Sequence, residues 1–159
     1  MAIIGNIIKG VIEARDALSK ENSPVEEQKK TLETLLAKAK NTQFGKEYVF
    51  DSILKSNDVQ KAFSKAIPYH DYKKITDEWW SKTIQGEADV VWPGSPDFFA
   101  LSSGTTGKKP KRIPVTGDML DSITRAGRQQ VFAMSNFDMP ADFFEKEIMM
   151  LGSSTNLQE

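Results

Sequence analysis

Phe98-Phe99-Ala100-Leu101 is a short apolar run that enters Ser102-Ser103-Gly104-Thr105-Thr106-Gly107 without a break. That junction constrains the chain more than any other. Four apolar residues bounded by Pro93, Gly94, Ser95 and Pro96 read as a strand. The six positions after it hold four hydroxyls and two glycines. Four of the next five residues, Lys108, Lys109, Lys111 and Arg112, are basic. Glycines let backbone N–H groups approach an anion closely, hydroxyls donate to its oxygens, and lysine adds a compact charge. A strand running into such a loop suits a polyphosphate. It is not a Walker A loop, because the fifth residue after Gly104 is Lys109 where that pattern needs glycine. No G-x-G-x-x-G occurs either, which excludes the dinucleotide fingerprint. The alternative is a plain Ser/Thr/Gly connection between strands, and the basic tail argues against it.

The rest of the sequence frames this segment. With 159 residues, 39% of them in the hydrophobic set, the chain can build one core, or part of a larger one. The net charge of −1 speaks against a generic nucleic-acid binder. Zero cysteines exclude disulfides, thiolate metal sites and a cysteine nucleophile, and the single histidine, His70, excludes a multi-histidine metal centre in this chain. His70 itself reads as a surface or capping residue. No apolar run approaches a membrane span and no signal-peptide pattern is present, so a cytoplasmic protein without membrane or nucleic-acid partners is expected.

Helices dominate the first half. Ile3, Ile4, Ile7, Ile8, Val11 and Ile12 recur at helical spacing over 2–19, which predicts a helix docked on the core. Ser23-Pro24-Val25-Glu26 has the form of a capping box with proline at the first helical position, opening a helix to about Asn41, with Gly45 in the loop that follows. A short helix is expected over 57–66, and another from His70 or Asp71 to Gly86 with Tyr72, Ile75 and Trp79 on one side. Past residue 87 the pattern turns extended. Val90-Val91-Trp92, Phe98–Leu101, Arg112–Val115 and Glu147–Leu151 read as strands, and Thr116 can cap a helix from 117 to about 135. Gly152-Ser153-Ser154-Thr155 echoes the earlier loop but better fits the start of a further helix. The expected division is a helical portion over 1–86 and the start of an α/β nucleotide-binding portion over 87–159.

Ser102-Ser103-Gly104-Thr105-Thr106-Gly107 with Lys111 resembles the phosphate loop of adenylate-forming enzymes. The spacing Lys108-Lys109-Pro110-Lys111, one residue longer than usual there, and the Ile113-Pro114 after it are similar to the auxin-responsive Gretchen-Hagen family of acyl acid–amido synthetases. Asn41 to Tyr48, Phe63, Ile67-Pro68-Tyr69, Asp71-Tyr72, Ile84 and Gly86 resemble the same family, so the likeness runs over about 30–116. The resemblance implies an α/β fold, with N-terminal helices packed on the beginning of a mixed sheet inside the large domain of such an enzyme. It implies ATP and Mg2+ as cofactors, with a small carboxylic acid and an amino acid or other amine as partners. The acid would be activated as an acyl-adenylate and passed to the amine. Carried over, Ser102, Ser103, Gly104, Thr105, Thr106 and Gly107 would hold the ATP phosphates, and Lys111 would be catalytic, offsetting charge on the leaving pyrophosphate. Arg125 and Arg128, on the helix after the loop, are candidates for the acid pocket. Family members are several times longer, so adenine, ribose and magnesium contacts are expected past Glu159 and this segment is expected to be inactive alone. The competing readings are a non-catalytic nucleotide-binding or scaffolding module and a relative that makes thioesters of coenzyme A.

Overall fold

The computed structural model describes residues 2–18, 23–102 and 110–147. The chain divides into two compact units, Glu21–Ile123 and Met1–Lys20 with Thr124–Glu159.

The larger unit is built on a helical core. Helix α2 (Pro24–Ala39) starts on proline at its first turn, with Glu26 and Glu27 facing the positive end of the helix dipole. The Ser23 side chain makes no cap bond, so the expected capping box is not formed. Leu36 and Ala39 are buried, and the helix stops two residues before Asn41. The stop has a local cause. Thr42 Oγ1 donates to the Ala39 carbonyl at 2.7 Å and accepts the Gly45 N–H at 3.0 Å, closing α2 and opening α3 (Gln43–Glu47) with one side chain. Gly45 therefore lies in a short buried helix rather than in a loop. A Cβ there would sit 2.1 Å from the Ala39 carbonyl oxygen, so glycine is required by close approach of two backbones. Val49, at φ 47°, turns the chain into α4 (Phe50–Leu54). A β-branched residue in that region is strained.

Asp58 caps α5 (Val59–Ala66) through the Lys61 N–H at 3.0 Å. Ile67, held extended by the proline after it, ends that helix. Asp71, not His70, caps α6 (Tyr72–Ile75), accepting the Lys74 N–H at 2.7 Å. A π turn over Thr76–Trp80 joins α6 to α7 (Ser81–Ile84), and Gly86, at φ 96°, terminates the run as expected. Leu36, Ala39, Phe44, Phe50, Ile53, Val59, Trp79 and Val90 form the core. Phe44 is its hub, meeting Trp79 edge-on at 5.0 Å and Tyr48 at 4.6 Å between ring centroids.

Val90-Val91-Trp92 is not a strand. Its apolar character is used, since Val90 is 1% exposed, but its backbone is spent elsewhere. The Asp89 and Val90 carbonyls accept the Gln43 and Phe44 N–H groups at 2.8 and 2.9 Å, so this segment caps the start of α3. The loop closes on itself, with Asp89 N–H donating to the Gly94 carbonyl and Gly94 N–H to Asp89 Oδ1. Strands β1 (Phe98–Ser102) and β2 (Lys111–Val115) then pair antiparallel. The chain is thus an α/β fold in which helices predominate. Of the mixed sheet expected, the described residues hold this antiparallel pair. The strand expected over Glu147–Leu151 and the loop 152–155 fall outside the described residues, apart from Glu147.

Helix α8 (Gly117–Phe132) is opened by Thr116, whose Oγ1 accepts the Met119 N–H at 3.3 Å. It gives way to a 3₁₀ turn at Ala133–Asn136, three residues before the expected end. In the smaller unit, α1 (Ile3–Leu18) packs on that turn and on a second one at Ala141–Glu145. Its docked face is Gly5, Ile8 and Ile12, while Ile3, Ile4, Ile7 and Val11 are exposed, so only part of the expected apolar face is covered. Gly5 permits the contact, since a Cβ would meet the Ala141 carbonyl oxygen at 1.9 Å. Its N–H donates to Glu145 Oε1 at 2.8 Å, an acidic partner for an unsatisfied donor in the first helical turn. Among the described residues no helix is long and apolar enough to cross a membrane.

Candidate nucleotide-phosphate site

The β1–β2 register places Ser102 directly opposite Lys111. Residues so paired have Cβ atoms about 4.5–5.5 Å apart. The first hydroxyl and the last lysine of the candidate loop therefore meet at the end of the hairpin where the chain passes from β1 to β2. Ser103, Gly104, Thr105, Thr106 and Gly107 lie outside the described residues, as do Lys108 and Lys109. Ser102 is half-buried, whereas Lys111 and Arg112 are exposed.

Helix α6 supports this end of the hairpin. The Lys111 ammonium sits over the Tyr72 ring, 4.9 Å from its centroid, and Tyr72 Oη accepts the Arg112 N–H at 3.0 Å. Tyr72 in turn meets Trp80 edge-on at 6.1 Å. The sequence pattern assigns Tyr72 only to the apolar side of a helix. Nothing in the sequence shows that its hydroxyl and ring face reach β2, because that contact spans about forty residues of chain and depends on the tertiary fold.

The other end of the hairpin borders a cavity of about 200 Å³, walled by Trp80, Thr83, Val90, Val91, Trp92, Gly94, Pro96, Pro114 and Thr116. Trp92 is fixed in this wall. Its indole N–H donates to Asp118 Oδ2 at 2.8 Å, and Asp118 also pairs with Lys38. The Lys38 hydrogen bond, then that of Trp92, holds the Asp118 carboxyl below its ordinary range. The sequence offers one hint of this role: Asp118 falls in the first turn of a helix, where an acid is favoured. Trp79 and Trp80 point to different neighbours, one into the core and one toward Tyr72 and the cavity, as adjacent helical positions must.

His70 is neither a surface residue nor a cap. Its side chain is 8% exposed, with Nε2 3.3 Å from Tyr48 Oη and 3.2 Å from Glu78 Oε2. It packs against Phe44 at 5.8 Å. Burial, reinforced by Glu78 and Glu47, pushes the Tyr48 hydroxyl above its ordinary pKa. This cluster belongs to the core, and the hairpin residues do not take part in it. Arg125 and Arg128 are exposed on α8. Among the described residues no group of three or more His, Cys, Asp or Glu gathers to hold a metal ion.

A helical core that carries a two-stranded antiparallel hairpin defines an α/β domain in which helices predominate. The GH3 family N-terminal domain matches residues 15–159, and the chain belongs to that family, the Gretchen-Hagen acyl acid–amido synthetases, whose members are ATP-dependent and adenylating. No solved structure matches the chain.

Proposed function

We propose that residues 102–111 grip the triphosphate of ATP in an enzyme that joins a small carboxylic acid to an amino acid or another amine. The single observation that carries this reading is the pairing of Ser102 with Lys111 across the mouth of the hairpin, in a chain of this family. Ser102, Ser103, Gly104, Thr105, Thr106 and Gly107 bind the phosphates through hydroxyl and backbone N–H donors. A carboxylate oxygen of the acid attacks the α-phosphorus, and the bond from that phosphorus to the bridging oxygen breaks. Pyrophosphate leaves with the electron pair, and Lys111 offsets the charge it develops. The amine nitrogen then attacks the acyl carbon, AMP departs, and the amine proton is released to solvent. Residues 87–159 are read as the start of the nucleotide-binding portion. Mg2+ is proposed to accompany the ATP.

The test is carboxylate-dependent exchange of labelled pyrophosphate into ATP by the full-length protein, and then acceptor choice. Exchange that requires the acid, and amide formation with amines but no thioester with coenzyme A, supports the reading. Binding of ATP without exchange would leave only a nucleotide-binding or scaffolding module.

A further inference from the structure

We propose that Tyr72 is a positioning residue for Lys111. The inference rests on the role proposed for Lys111 in pyrophosphate departure. A lysine on an exposed two-stranded hairpin has nothing of its own to aim it, and its long side chain is free to sample many rotamers. Tyr72 supplies two restraints from a separate helix. Its ring face lies 4.9 Å below the Lys111 ammonium, so the cation is attracted to one side of the hairpin. Its hydroxyl accepts the Arg112 N–H at 3.0 Å, filling a backbone donor on the strand at the residue after Lys111. The backbone next to the lysine and the end of its side chain are thus held by one residue. Tyr72 is half-buried and rests edge-on against Trp80, which gives the platform a fixed base.

The cation–ring attraction is weak enough to exchange for a phosphate. An exposed ammonium gains little from a ring and far more from a polyanion. Tyr72 therefore holds the lysine ready without competing for it. The hydrogen bond to Arg112 persists when the lysine turns to the nucleotide, because it uses the backbone and not the ammonium.

Kinetics of acid-dependent pyrophosphate exchange in the full-length protein test this, using Tyr72→Leu, Tyr72→Phe, Lys111→Ala and the Tyr72→Leu/Lys111→Ala double variant. Tyr72→Leu is expected to lower kcat about three- to tenfold, with little change in KM for the acid. Tyr72→Phe keeps the ring and is expected to stay within about twofold to threefold of the parent. In the Lys111→Ala background, Tyr72→Leu is expected to have no further effect. Equal losses in both backgrounds would overturn the proposal and make Tyr72 a structural residue of the hairpin. So would an unimpaired Tyr72→Leu beside an impaired Lys111→Ala. If Lys111→Ala itself exchanges normally, the role of the lysine fails first and that of Tyr72 falls with it. Tyr72→Phe retains the packing, so it keeps the comparison readable should Tyr72→Leu unfold.

Discussion

The helical core and the β1–β2 hairpin belong to one compact unit, yet they are held in different ways. Leu36, Ile53 and Val90 are each no more than 3% exposed, and an aromatic hub ties α3, α4 and the π turn together. The hairpin has Phe98 62% exposed and Leu101 38% exposed, and among its apolar residues only Val115 is buried. Point contacts fasten it: Tyr72 to Lys111 and Arg112 at one end, and the walls of the cavity at the other. The two regions divide the labour. Close packing fixes the scaffold, while the hairpin that carries the proposed ligand residues stands on a thinner support.

That contrast can be broken first in the core. Phe44→Ala is expected to cost about 3–5 kcal/mol, read as a shift in urea midpoint, because it removes the ring that Tyr48, Phe50 and Trp79 share. Gly45→Ala is expected to cost about 1–3 kcal/mol or more, since its Cβ would meet the Ala39 carbonyl and neither backbone can yield cheaply. Phe98→Ala in the hairpin is expected to stay within about 0.5 kcal/mol on the same measurement. A large loss there would mean that the hairpin shares the core's packing.

The smallest effect is a pH dependence. Asp118 is held below its ordinary pKa by Lys38 and then by Trp92, so it favours the folded state while it is ionised. That contribution is complete above the unfolded value near pH 4 and is lost as pH falls through the lower folded value. Thermal midpoints measured from pH 6 downward should fall less steeply for Asp118→Asn than for the parent. Parallel curves would show that the Lys38–Asp118–Trp92 contact does not anchor the cavity wall.

Much of the helical half was legible in the residues. Asp58, Asp71 and Gly86 mark boundaries through local chemistry, a side-chain acceptor or a positive φ, and local chemistry is visible in sequence. The hairpin strands were legible for the same reason, as apolar or β-prone runs between turn residues. What escaped depends on partners far along the chain. Val90–Trp92 has the composition of a strand, but its carbonyls cap α3, a helix that begins 47 residues earlier at Gln43. Gly45 reads as a loop residue because only the fold brings the Ala39 carbonyl against it. At the candidate site, Ser102 and Lys111 could be named from composition and spacing. Tyr72 could not, since its tie to Arg112 spans 40 residues.

The proposed chemistry requires Lys111 to lie against nucleotide phosphates. An ATP derivative acylated on its terminal phosphate transfers the acyl group to a lysine amine lying beside that phosphate, and mass spectrometry of the labelled full-length protein locates it. Modification of Lys111, suppressed by excess unmodified ATP, is the expected result. Labelling that avoids Lys111, or that persists unchanged under excess ATP, would refute the assignment.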